Sequence, residues 1–108
     1  MKNKKKYNYN NIDIGFYDNI FHKNKGVRSA WHYTKFYNMK KKIHKKNIHL
    51  DVGCGSGTFV SLLSNKMSYG IDISPKQIKY ANVKYGCRNK VFYSFTKKIP
   101  FNNNTFDS

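Results

Sequence analysis

Apolar and polar positions change period five times along the chain. From about residue 26 to residue 46 the spacing is helical, with Tyr33, Phe36, Lys40 and Ile43 on one face and Trp31 and Met39 beside it. The lysines at 40–42 and 45–46 then fall on a solvated end, where cations suit a helix C-terminus. Ile48-His49-Leu50-Asp51-Val52 alternates with a strand period and runs into Gly53-Cys54-Gly55-Ser56-Gly57, after which Phe59, Leu62 and Leu63 return to helical spacing. A second strand is expected over residues 68–73. Ser74-Pro75-Lys76-Gln77 then supplies an N-cap, a proline at the first helical position and a capping-box glutamine. Ile78, Ala81 and Tyr85 form the stripe of that helix and Gly86 ends it. Residues 91–95 read as a third strand, Ile99-Pro100-Phe101 as a turn, and residues 102–105 as a polar loop. The first 11 residues are polar, basic and without period, and a disordered lead is expected over residues 1–25.

The order β-α-β-α-β implies an α/β fold with a parallel sheet in spatial order 3-2-1, right-handed crossovers and both crossover helices on one face. The expected architecture is a Rossmann-like doubly wound parallel sheet, truncated after the third strand. The opposite face and the free edge of the first strand are expected to be bare.

Composition narrows the function classes. At 108 residues the chain holds one domain at most, and adenosine-binding α/β folds usually need more, which makes a fragment a direct reading. No apolar run approaches the roughly 18 residues of a membrane span, and the Lys-rich start lacks the apolar core of a signal peptide, so a cytoplasmic location is expected. Cys54 and Cys87 have neither zinc nor redox spacing, and His22, His32, His44 and His49 have no partner at i+4, so no metal is expected. The net charge of +16 would suit nucleic acid. However, Lys, Asn, Tyr, Phe and Ile supply 59 of the residues, all five have A/T-rich codons, and an A+T-rich coding sequence produces the same profile. It does not explain the absence of Glu.

The chemistry centres on the strand-to-helix glycine loop. Glycine serves where backbone approaches a ligand closely or takes positive φ, and the following helix start directs N–H groups toward that ligand. The spacing here is G-x-G-x-G, not the dinucleotide G-x-G-x-x-G, and Asp51 lies two residues before the first glycine. An acid there repels a pyrophosphate and suits a cationic amino-acid head group. Asp72, 21 residues after Asp51 at the end of the second strand, is placed to accept hydrogen bonds from both hydroxyls of a ribose.

LDVGCGSGTF, YGIDISPKQIKYA and KKIPFNNNTFD together resemble, in order and spacing, the successive motifs of class I S-adenosylmethionine-dependent methyltransferases, in particular the type 11 group, over residues 48–108. The resemblance implies that Asp51, Gly53, Cys54 and Gly55 face the methionine moiety and that Gly57 keeps the helix start close. It implies further that Asp72 holds the ribose hydroxyls and Ile73 packs against adenine. Cys54 stands where the family tolerates cysteine and is read as a small loop residue, not a nucleophile; Asp107 shapes the approach to a fourth strand. One departure follows the third strand, where the family commonly has an acid for the adenine amino group. Ser94-Phe95-Thr96-Lys97 has none, leaving Ser94 or Thr96 as hydroxyl acceptors. Phe16-Tyr17-Asp18 and Trp31-His32-Tyr33 resemble the family's lid helix, whose aromatics pack on the core or line the sulfonium site.

The expected division is the lead, a lid helix over residues 26–46, and an incomplete S-adenosylmethionine-binding domain over residues 47–108. The expected function is methyl transfer to an unidentified small-molecule acceptor, with catalytic residues beyond the fourth strand and therefore unknown. A basic RNA-binding or RNA-modifying module and an inactive truncated fragment are the alternatives.

Overall fold

The computed structural model describes residues 11–23 and 25–108. The seven elements are α1 (Phe16–His22), α2 (Gly26–Lys40), β1 (Ile48–Val52), α3 (Thr58–Ser61), β2 (Met67–Asp72), α4 (Pro75–Tyr85) and β3 (Lys90–Ser94). The three strands are all parallel in the order β1-β2-β3, as the connection pattern requires. Register follows from the pairs Leu50 with Tyr69 and Tyr69 with Val91. It aligns Asp51, Gly70 and Phe92 on one face and Leu50, Tyr69 and Val91 on the other.

Both crossover helices pack on the first face. Cys54, Val60, Ile78, Ala81 and Phe92 form one buried cluster with Tyr85 against it. Phe92, only 2% exposed, fits a notch made by two glycines. A Cβ at Gly57 would lie 2.8 Å from the Phe92 ring and 2.9 Å from Ala81 Cβ, and one at Gly70 would lie 2.6 Å from that ring and 2.9 Å from Cys54 Sγ. A second aromatic core carries α1 and α2. Phe21 packs on Tyr33 and Phe36, Phe36 on Phe59, and Phe59 on His49 of β1.

Four sequence expectations need correction. Residues 1–10 and 24 lie outside the described residues, but within the expected disordered lead residues 16–22 form a helix. The reason is long-range: Asp18 is fully buried and bonded to α3 and α4. The helix expected to run to residue 46 stops at Lys40, and after Lys41 the chain closes with i→i−3 bonds from Lys42 N–H to Met39 O and from Ile43 N–H to Lys40 O. Lysines at 40–42 with no acid beside them repel one another, which disfavours another α-turn.

The far face is not bare either. Phe101 and Phe106 set their rings edge-on to Tyr69 at 5.1 and 5.7 Å, and Phe101 also meets Tyr93. The free edge of β1 is engaged at Ser108, whose N–H donates to Ile48 O and whose carbonyl accepts from Leu50 N–H, the bonding pattern of a parallel neighbour. Asp107 Oδ2 accepts from Ile48 N–H at 2.7 Å. Lastly, Ser74 caps α4 by accepting from Gln77 N–H, but the Gln77 side chain does not return the bond. Its Oε1 accepts from Gly15 N–H and Ser56 Oγ, and its Nε2 donates to Asp13 O.

Candidate functional site

At the carboxyl ends of β1 and β2 a cleft of about 760 Å³ opens between the sheet and α2. Asp51, Gly53, Cys54, Gly55, Asp72 and Ile73 all line it, so six of the seven expected site residues converge there. The seventh, Gly57, does not line it. It sits beneath the loop against Phe92 and Ala81, because its missing side chain is needed for packing.

The loop is tied down before any ligand arrives. The N–H groups of Gly53 and Cys54 both donate to Ile71 O, at 2.8 and 3.0 Å. Gly53 takes φ +76 and Gly55 φ +55, a left-handed backbone that side chains disfavour. A Cβ at Gly53 would meet nothing within 4 Å, so the backbone there presents an open surface; the place over Gly55 is taken by the Tyr17 ring, 3.1 Å from where a Cβ would stand.

Asp72 already has two protein donors. Its Oδ2 accepts from Gly55 N–H and its Oδ1 from Ser74 N–H, both at 2.9 Å, which braces the glycine loop and the start of α4. Each oxygen keeps a second lone pair. Asp51 is different: among the described residues no group donates a hydrogen bond to its carboxylate. Burial and then the charge of Asp72 push its pKa up to about 6, against a smaller opposing pull from Lys35. Two carboxylates in one cleft make it electronegative and complementary to a cation. The Cys54 thiol is buried, and burial together with the charges of Asp51 and Asp72 raises its pKa, so it is no nucleophile.

The outer walls are apolar. Ile73 is 45% exposed and Phe95 lines the cleft beside it, held near Asp72 by the bond from Phe95 N–H to Asp72 O. Ser94 and Thr96, expected as hydroxyl acceptors, do not line the cleft; the third strand offers the Phe95 ring instead. From α2 come His32, Lys35, Phe36 and Met39, and from α1 Tyr17. Phe36 belongs to the predicted stripe and Met39 lies beside it, whereas nothing in the pattern marks Lys35 or Phe95. Among the described residues no group of three or more His, Cys, Asp or Glu could hold a metal, and no helix is long and apolar enough to cross a membrane.

An open Gly53 backbone, a carboxylate without a donor among the described residues and an apolar slot past Asp72 fit a ligand with a cationic amino-acid end, a ribose and a flat base. A parallel α/β sheet carrying such a site at its strand ends defines a Rossmann-like nucleoside-cofactor domain. Residues 50–108 match the methyltransferase domain family, and the chain belongs to it. The cofactor of that family is S-adenosylmethionine. No curated protein matches the chain. Among solved structures it is similar to the YcgJ protein of Bacillus subtilis, with 24% identity and a TM-score of 0.61 over 70% of this chain and 36% of that one. A putative methyltransferase of Haloferax volcanii, solved in complex with the Trm112 methyltransferase activator, gives 21% identity and a TM-score of 0.60 over 71% and 36%. An S-adenosylmethionine-dependent methyltransferase of Aquifex aeolicus gives 28% and 0.55 over 67% and 44%. The chain thus spans between a third and a half of the length of these structures.

Proposed function

We propose that the chain binds S-adenosylmethionine and forms the cofactor-binding part of a cytoplasmic methyltransferase acting on a small-molecule acceptor. The observation that carries this reading is Asp51, a carboxylate at the mouth of the glycine loop that has no donor among the described residues and faces the same cleft as Asp72. The cofactor, when bound, supplies a methyl group on a positively charged sulfur that any suitably placed nucleophile displaces. The residues of this chain bind and orient. Asp51 takes the ammonium, the Gly53 backbone lies along the amino-acid portion, Asp72 uses its free lone pairs on the ribose, and Ile73 and Phe95 sandwich the base. The six converging residues act by holding geometry and excluding water, the main protein contribution to such a transfer.

Calorimetric titration of the 108-residue chain with S-adenosylhomocysteine tests this. Micromolar binding that Asp51→Asn and Asp72→Ala each weaken supports the reading. A chain that is folded by circular dichroism yet shows no heat of binding removes it.

One observation favours RNA as the acceptor: at the rim of the cleft Lys35 Nζ stands 4.3 Å over the ring of Trp31, which is 58% exposed. A cation on an exposed ring is the pairing that stacks bases and holds phosphate. Under the small-molecule reading, RNA binding is weak, without sequence preference, and collapses between about 50 and 200 mM salt. Sequence-selective binding that survives the higher salt favours RNA.

A further inference from the structure

Asp18 has 0% exposure and five donors around its carboxylate. Thr58 Oγ1 and Tyr85 OH donate to Oδ1 at 2.8 and 2.6 Å, and Tyr80 OH and Lys84 Nζ to Oδ2 at 2.7 and 2.6 Å; His22 Nε2 stands 3.2 Å from Oδ1. Burial raises its pKa, and the bonds from Lys84, Tyr85, Tyr80 and Thr58 more than offset that, so it is held below the ordinary carboxylate value. A helix of seven residues does not need such a group to pack, since an apolar side chain with matched neighbours is commonly as stable as a buried ionic network. What a fully satisfied network adds is a single register.

The register it sets is that of Tyr17. Thr58 directly follows the glycine loop, and Tyr80, Lys84 and Tyr85 lie on the last two turns of α4. Asp18 therefore joins the loop and α4 through one carboxylate, next in sequence to the ring that covers Gly55. The other end of the same short segment is fastened independently. Gln77 bonds both Gly15 N–H and Asp13 O while accepting from Ser56 Oγ, and the Tyr80 ring closes on Gly15. Residues 13–18 are thus bolted at two points to the loop that shapes the cleft and to the helix behind it.

We propose that Asp18 is a positioning residue of the cofactor cleft, which holds Tyr17 as a roof over Gly55 and so makes cofactor affinity depend on the Tyr80, Lys84 and Tyr85 end of α4. This rests on the cofactor reading above. Tyr17 contacts the ligand; Asp18 acts only through Tyr17.

The experiment is a double-mutant cycle on the 108-residue chain, with S-adenosylhomocysteine affinity measured for the unaltered chain, Tyr17→Ala, Asp18→Asn and the double variant. Tyr17→Ala and Asp18→Asn each weaken binding about 10-fold, and the double variant is no weaker than either, as expected for residues acting as a unit. A purely structural role for Asp18 gives losses that multiply, which overturns the proposal, as does full affinity in either single variant. If Asp18→Asn does not fold, Tyr85→Phe and Tyr80→Phe each remove one donor with the ring kept. Each is expected to weaken binding about 3-fold, and not at all in the Tyr17→Ala background. Amide exchange over residues 53–58 provides a readout without ligand. It rises in Tyr85→Phe, and unchanged exchange overturns the latch. Should the unaltered chain not bind S-adenosylhomocysteine, the cofactor reading falls, and exchange alone decides whether Asp18 fastens the roof.

Discussion

The Asp72 carboxylate accepts a hydrogen bond from the N–H of Gly55 at 2.9 Å, so the acid that faces the cleft also sets the shape of the loop opposite it. Under the proposed function, binding and folding are coupled at this residue. Asp72→Ala is expected to weaken S-adenosylhomocysteine binding by roughly 10- to 100-fold, since hydrogen bonds to a charged group contribute about 1.5–3 kcal/mol each. It also lowers stability, because Gly55 N–H and Ser74 N–H lose their acceptor. Calorimetry and thermal melting on one preparation check both; a variant that melts as the unaltered chain does contradicts the bracing role.

The raised pKa of Asp51 gives two opposite pH dependences. A carboxyl with a pKa of about 6 folded and 3.8 unfolded carries more proton in the folded state between those values, so this group's contribution to stability falls as pH rises through that window. Binding of a cationic head group needs the ionised form and falls as pH drops below about 6. Asp51→Asn should therefore melt no lower than the unaltered chain at pH 7 while losing both affinity and its pH dependence, measured by titration from pH 5 to 8.

Thiol chemistry distinguishes the two cysteines. Cys87 is exposed, and Cys54 is buried with its thiolate disfavoured by Asp51 and Asp72. An aromatic disulfide reagent at pH 8 should label Cys87 rapidly and Cys54 only at the rate of local opening. Equal rates would place Cys54 in contact with solvent and contradict the closed loop.

Gln77 lies in the first turn of α4, where a polar side chain ordinarily matters little, yet it is buried and joins Asp13, Gly15 and Ser56. Gln77→Ala should cost about 1–3 kcal/mol, the range for leaving buried partners unsatisfied. Urea unfolding measures this, and a loss below about 0.5 kcal/mol, the usual surface effect, refutes it.

How far these features are legible in the sequence depends on the range of the interactions that make them. The alternation in residues 48–52, the glycine loop and the Ser74-Pro75 cap act over a few residues, and the strand order and the Asp51 and Asp72 positions follow from them. α1 does not follow from any local pattern and is marked only by the resemblance of Phe16-Tyr17-Asp18 to a lid helix, because what holds it is bonds from Asp18 to partners 40 to 67 residues away. The cover on the far face is hidden for a similar reason: Phe101 and Phe106 sit in a polar stretch with no period, and what they pack on is Tyr69, more than 30 residues earlier, together with Tyr93 and each other. Within the site, Gly57 reads as a loop glycine, but its neighbours are Phe92 and Ala81, which no local pattern reveals.

The notch around Phe92 constrains how this protein can diverge. Gly57, Gly70, Ala81 and Phe92 share a fixed volume in which a carbon added at one position must be removed at another. Substitutions at 70, 81 and 92 should therefore be inherited together: a larger residue at 70 or 81 is tolerated once the ring at 92 has given way to something smaller, whereas Gly57, at φ +83, resists any side chain whatever the space. Because Gly70 and Phe92 belong to neighbouring strands and Gly57 to the loop above them, that exchange would also shift the floor of the cleft. Drift in the core of this domain thus carries a change of ligand pocket with it, even where no cleft-lining residue is replaced.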